Sequence, residues 1–400
     1  MEPVALDSGI YSEDRKRPQE GRIKVILRKH FAVLLAVLLV LSLVAAGCGK
    51  KAEPPKQQET PKAEEKKPEK IKVAFMYVGP VGDAGWTFEH DKGRKYLAEK
   101  MPDVETTYVE SVPESADAER VLTEMAEKGN KVIFATSFGY MDYVIKVAQK
   151  YPKVVFMHAT GFKTAPNAGT YFAREYQARY LSGIVAGKAT KANLIGYVAA
   201  HPIPEVIRGI NAFTLGVRSV NPKAKIKVVW TNTWYDPGKE KEAAKSLLEV
   251  GADVIAQHQD TPAPMQAAEE KGKLGVGYNS DMRPYAPKAV MTGPVWNWGP
   301  YYVKVVEAVK NGTWKPDQYW GPMSEGVIDL GPYGPMVPDD VKKLVDTKKQ
   351  EIITGKWDVF TGPIKDQKGE LNVKEGQRMT DPDMLSFNWF VEGVEGTIPK

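Results

Sequence analysis

The sequence predicts an α/β protein made of two doubly wound lobes, each a parallel sheet covered by helices on both faces. Short, nearly continuous apolar runs recur seven times between residues 71 and 277, as strands buried on both faces do. Stretches of helical spacing with recognisable end signals separate them. The alternation breaks near 174–178, and seven such strands exceed one comfortable sheet, so two sheets are the economical arrangement.

The first run, 71–78 (IKVAFMYV), begins the body abruptly. The others are 131–136 (KVIFAT), 153–158 (KVVFMH), 193–199 (NLIGYVA), 225–231 (KIKVVWT), 252–256 (ADVIA) and 273–277 (KLGVG). Helices are predicted over 115–129, 176–189, 205–220 and 238–250. Ser115 is placed to cap the first of these, and Gly129 follows its last turn. Past Asn311 the pattern thins. One helix is clear at 339–353, loops carry Trp314, Tyr319 and Trp320, and 359–365 (VFTGPIK) reads as a further strand and turn.

Ahead of the body, 31–46 (FAVLLAVLLVLSLVAA) is an uncharged apolar run that follows Arg22, Lys24, Arg28 and Lys29, the layout of a signal peptide. At roughly 16 residues it falls short of the ~20 that a membrane span needs. It runs into Ala45-Ala46-Gly47-Cys48, which resembles a bacterial lipobox, with Ala45 where leucine is usual. Residues 1–47 are therefore expected to be a lipoprotein signal peptide and Cys48 the acylated N-terminus. An uncleaved anchor helix is the alternative; either reading puts the body outside the cytoplasm. Residues 48–70 are rich in Lys, Glu, Pro and Gln and have no large apolar side chain, as a solvated tether would. Cys48 is the sole cysteine, so no internal disulfide is available and stability must come from core packing. The formal net charge of +5 is spread without a basic block, which leaves nucleic acid unindicated as a partner.

In open α/β sheets ligands bind beyond the carboxyl ends of the strands, so the residues after each run carry the functional information. The first strand leads into GPVGDAGWT, with Asp83, Trp86 and Thr87, and the second run into Phe138, Gly139 and Asp142. Later runs lead to His158, to His201 and Glu205, to Trp234, to His258 and Asp260, and to Tyr278, Asn279 and Asp281. Aromatic rings that stack on a flat heterocycle thus gather with Asp, Asn and His side chains that satisfy its edge. The first loop matches neither dinucleotide nor P-loop patterns, and Asp83 would repel phosphate. The three histidines lack metal-ligand spacing, and no nucleophile with its base stands out. No cofactor and no metal are predicted, and the protein is expected to capture a small molecule without catalysis.

At these loops the chain resembles the basic membrane protein family of ABC-transporter solute receptors, the purine-nucleoside-binding lipoproteins. The matching stretches include GDAGWTFEHDKGR, KVIFATSFGYMD, GTYFAREYQARYLSGIVAGK, IGYVAAHPIPEVIRGINAFTLGVRSVNP and VGYNSD, in order from Ile71 to about Val394. The resemblance implies a type I periplasmic-binding fold with its cleft between lobe 1 (71–176 plus about 294–322) and lobe 2 (177–293 plus about 323–394). It implies stacking by Trp86, with Thr87 where asparagine is common, and base-edge contacts from Phe138, Gly139 and Asp142. No aromatic occupies 203–206, where the family places its second ring; His201 or Tyr176 would substitute. Asn279 replaces the family's ribose-binding aspartate, and Trp296 stands near its lysine, which points to a free, adenine-like base. The implied partners are ABC permease subunits and a membrane reached through the lipid, with the receptor itself monomeric. A purine nucleoside or another flat heterocycle such as a flavin as the ligand, a sensory module and a nucleoside hydrolase are the rival readings.

Overall fold

The computed structural model describes residues 70–399. The signal peptide, Cys48 and all but the last residue of the tether lie outside the described residues. The body begins with β1 (Ile71–Met76), α1 (Trp86–Lys100), β2 (Val104–Val109), α2 (Ala116–Glu127), β3 (Val132–Ala135), α3 (Met141–Lys150), β4 (Val155–Ala159) and β5 (Ala168–Ala173). There follow α4 (Tyr176–Ala189), β6 (Leu194–Ala199), α5 (Pro204–Val220), β7 (Lys225–Trp230), α6 (Pro237–Glu249), β8 (Val254–His258), α7 (Ala263–Glu270), β9 (Leu274–Val276) and β10 (Val290–Thr292). The last part holds β11 (Pro294–Trp296), α8 (Gly299–Lys310), β12 (Gln318–Gly321), β13 (Ile328–Leu330), α9 (Asp339–Ile353), β14 (Ile364–Lys365), β15 (Leu371–Val373), α10 (Asp381–Leu385) and β16 (Val394–Glu395).

Two six-stranded sheets result, ordered β12-β5-β4-β3-β1-β2 and β10-β9-β8-β6-β7-β16. Every pairing within them is parallel. In β1, Val73 and Phe75 pack into one apolar cluster while Ala74 and Met76 pack into another. Both faces are buried, which is why the strand reads as a continuous apolar run. The chain passes between the sheets after β5, after β10 and after β12. We call the parts built on the first and second sheets lobe 1 and lobe 2.

All seven predicted strands are present. β2 (VETTYV) escapes the reading because it closes an edge and is exposed along most of its length, so it has no apolar run. The opposite edge is filled from far along the chain, Gln318 pairing with Thr170 and Gly321 with Ala173. The predicted helices form within a residue or two of their expected ends, and the Ser115 hydroxyl accepts from the Asp117 N–H. Residues 364–365 do form a strand, paired antiparallel with β15.

One helix contact bears on the site. α4 and α5 touch backbone to backbone, because a β-carbon on Gly183 would overlap the Phe213 carbonyl and one on Gly216 the Tyr180 carbonyl. Only glycine allows that approach. It holds the N-terminus of α5, and hence Glu205, at the carboxyl edge of sheet 2.

Candidate functional site

The carboxyl ends of the two sheets face each other across a narrow cavity, lined from both lobes. Lobe 1 lines it with Val78 and Trp86 after β1, Ser137 and Phe138 after β3, and Thr160 after β4. Lobe 2 contributes Glu205 from α5, Trp234 after β7, His258 and Asp260 at the end of β8, and Tyr278 and Asn279 after β9.

The lobe 1 wall is held by its own hydrogen bonds. Trp86 opens α1, and its indole N–H donates to the Thr136 carbonyl at 2.6 Å. Trp298 and Trp296 meet its ring edge to face. Asp83 stands behind that wall, accepting from the N–H groups of Gly85, Thr87 and Phe88 at 2.8, 2.8 and 2.9 Å. Three such donors at a helix start favour the carboxylate. Burial outweighs them and pushes Asp83 up to about 6. The Thr87 hydroxyl accepts from Gly79 N–H, so Thr87 too shapes the loop from behind.

Glu114, in the loop after β2, joins the two walls. Its carboxylate accepts from the Ser137 hydroxyl at 2.5 Å and the Gly139 N–H at 2.7 Å, which fixes the turn carrying Phe138. Gly139 is needed there, since a β-carbon would meet that carboxylate. The other Glu114 oxygen accepts from the indole N–H of Trp234 on lobe 2 at 3.3 Å. Two more contacts bring the lobes together: Ser280 donates to the Ala84 carbonyl, and a β-carbon on Gly85 would overlap the Asp260 carbonyl.

The lobe 2 wall is richer in buried ionisable groups. Asp260 accepts from the Asn279 amide at 3.1 Å, and the Asn279 oxygen accepts from the Trp296 indole at 2.8 Å. Asn279 sits at φ 68, a left-handed conformation that asparagine tolerates. The Tyr278 ring is backed by the Arg179 guanidinium, 3.5 Å from its centroid. His258 lies 3.5 Å from the Glu205 carboxyl. Burial, reinforced by Glu175 and opposed by Arg208 and Arg179, pushes Glu205 up to about 8. Asp260 is raised well above the carboxylate range by burial first and then by Asp83 and Glu240. His258 is held far below its usual value by burial, aided by Arg179 and Arg208, and is a neutral imidazole. The cavity therefore presents aromatic faces and hydrogen-bonding groups with little net charge.

Of the residues singled out in the sequence, Trp86, Phe138, Trp234, His258 and Asn279 line this space. Asp83, Thr87, Gly139 and Trp296 lie behind it as its support, and Trp296 stacks on Trp298 at 4.8 Å. His201 stands outside, its ring 4.8 Å from that of Trp234. Tyr176 is buried against Trp320 and Phe360, with its hydroxyl accepting from Arg174. Asp142 is exposed and paired with Lys163, and Asp281 is held by Arg283. Glu205, Asp260 and Tyr278 line the cavity too, from the strand-end loops the sequence pointed to; Val78, Ser137 and Thr160 also line it and were not singled out, although they end or follow predicted strands. Glu114 gave no signal, since it follows the edge strand that lacked an apolar run. Among the described residues no three His, Cys, Asp or Glu side chains are grouped to hold a metal, and no helix is long and apolar enough to cross a membrane.

Residues 70–359 match the family described as ABC transporter substrate-binding protein, PnrA-like. The chain belongs to that family. As a PnrA-like protein it is an extracytoplasmic solute-binding component of an ABC transporter and not an enzyme. It is 48% identical to a purine-binding protein of Brucella abortus, across 83% of this chain and 95% of that one. It is 42% identical to a putative ABC transporter glucose-binding protein of Haloferax volcanii, across 83% of this chain and 82% of that one. Among solved structures, a solute-binding protein of an ABC transporter system from Aeropyrum pernix K1 superposes with TM-score 0.64 at 21% identity, covering 74% of this chain and 93% of that one. The PnrA-like chain thus has the two-lobed periplasmic-binding fold that the sequence predicts.

Proposed function

We propose that this receptor binds a purine base, adenine-like rather than nucleoside-like, and delivers it to an ABC permease from a membrane to which Cys48 tethers it. The observation that carries the reading is the pairing of aromatic faces from both lobes with buried acids that hold their protons. In this reading a flat ring stacks on Trp86 and Phe138 of lobe 1 and meets Trp234 and Tyr278 of lobe 2, all four of which line the cavity. A protonated carboxyl donates one hydrogen bond and accepts another. Glu205 and Asp260 in that form match the adjacent ring nitrogen and amino group along the adenine edge. No Lys or Arg lines this cavity, which argues against a phosphorylated ligand. The amide of Asn279 is engaged by Asp260 and Trp296, so it offers little to a ribose.

The purine-binding relative in Brucella abortus supports this choice, while the putative glucose-binding relative names the competitor to be tested. Titration calorimetry with adenine, adenosine and glucose separates them. Adenine is expected at micromolar affinity or better, roughly 8 kcal/mol, with adenosine at least about tenfold weaker. Heat from glucose and none from adenine would reverse the assignment. For the anchor, Cys48→Ser should move the protein from the membrane fraction to the soluble one; unchanged membrane retention would contradict lipidation.

A further inference from the structure

The purine cavity does not end at Phe138, Thr160 and Glu205. The same three residues also line a second, larger chamber of about 310 Å3 that opens to solvent. Its other walls are mainly apolar, with Phe172 and Trp320 below and Phe162 and Leu385 at the rim. Phe162 and Leu385 are among the most exposed large apolar side chains of the body.

This chamber is rigidly built. The Trp320 indole lies between the guanidiniums of Arg174 and Arg208, 4.2 and 5.0 Å from its ring, and its N–H donates to the Ala173 carbonyl at 2.9 Å. Arg174 also grips Asp381 through two hydrogen bonds of 2.8 and 2.6 Å, which docks α10 as the outer wall. That wall comes from residues beyond 70–359, the stretch the family description covers. A firm, apolar, solvent-open space joined to a ring-binding cavity is suited to a group that projects from the ring.

We propose that the chamber is a substituent subsite: the ligand is a purine that carries an apolar aryl or branched alkyl group, directed past Phe138, Thr160 and Glu205 to lie against Phe172, Trp320 and Leu385. This rests on the purine reading of the first cavity. Burying a phenyl ring on these walls raises affinity by the hydrophobic effect, and the opening to solvent leaves room for substituents of different length.

The test is calorimetry of the full-length protein with adenine and with N6-benzyladenine. The substituted base is expected to bind about tenfold or more tightly than adenine. Leu385→Asp should remove that gain and leave adenine affinity unchanged, while Leu385→Met should retain it. Adenine binding with no gain from the benzyl group would overturn the subsite and leave the purine reading standing. A gain that survives Leu385→Asp would also overturn it, by placing the group elsewhere. Binding of neither base would remove both this inference and the purine reading.

Discussion

The two walls of the cleft are built on the same plan, loops at the carboxyl ends of a parallel sheet, yet they use their polar groups differently. On lobe 1, Asp83, Thr87 and the Glu114 contacts to Ser137 and Gly139 fix backbone and leave aromatic faces to the cavity. On lobe 2, Asp260 and His258 are buried at the cavity itself and Glu205 nearly so, with few partners, and their proton affinities are displaced by desolvation. The difference teaches a division of labour: lobe 1 is a prearranged stacking platform, and lobe 2 reads the ring edge.

If that division is right, removing the platform has the largest consequence. Trp86→Ala should weaken adenine binding by about a hundredfold or more, roughly 3 kcal/mol. Calorimetry gives the affinity and a thermal melt shows that the variant folds. An affinity within a few fold of wild type would break the comparison at its first term. Next comes the edge. Asp260→Ala removes the shorter of the Asn279 amide's two hydrogen bonds, leaving the Gln259 carbonyl at 3.4 Å, and takes a carboxyl from the cavity, so a loss of about tenfold to thirtyfold is expected.

Glu114→Gln tests the link between the walls. The glutamine oxygen can still accept from Ser137 and Gly139, whereas its amide cannot accept from the Trp234 indole. Ligand release measured by stopped flow should speed up about fivefold with little change in association. The effect should vanish in a Trp234→Phe background, because the bond is then already absent; additive effects would show that the two residues act separately.

The smallest change in affinity is expected at Glu205. The folded protein holds its proton up to about pH 8, against an ordinary value of 4.5. Between those values the native state binds a proton that the unfolded chain has released, so stability falls as pH rises through the window. Glu205→Gln mimics the protonated acid, and adenine affinity at pH 7 should stay within about threefold. Its melting temperature should decline less from pH 5 to pH 8 than that of wild type. A wild-type protein that becomes more stable over this range relative to the variant would place the Glu205 shift in the opposite direction.

Much of this architecture could be read in advance because parallel strands buried on both faces leave a local trace, as Val73 to Met76 and Val132 to Ala135 do. The rule that ligands sit beyond strand carboxyl ends located the cavity, and Trp86, Phe138, Trp234, His258 and Asn279 do line it. What local pattern could not supply was the direction of each side chain. Asp142, in the first turn of α3, follows its strand as Asp260 follows β8, yet it is exposed and paired with Lys163, 21 residues on. The edge strands β12 and β16 and helix α10 were illegible for a related reason: they reach their places by pairing or docking across long stretches of chain, Arg174 with Asp381 being the clearest case.

A crystal structure of the protein with adenine tests the division of labour most directly. The account predicts the base stacked on the lobe 1 aromatics Trp86 and Phe138, with its hydrogen-bonding edge on Asp260 and Glu205 of lobe 2. A base whose edge is bound by lobe 1 side chains, or that lies outside this cavity, would contradict it.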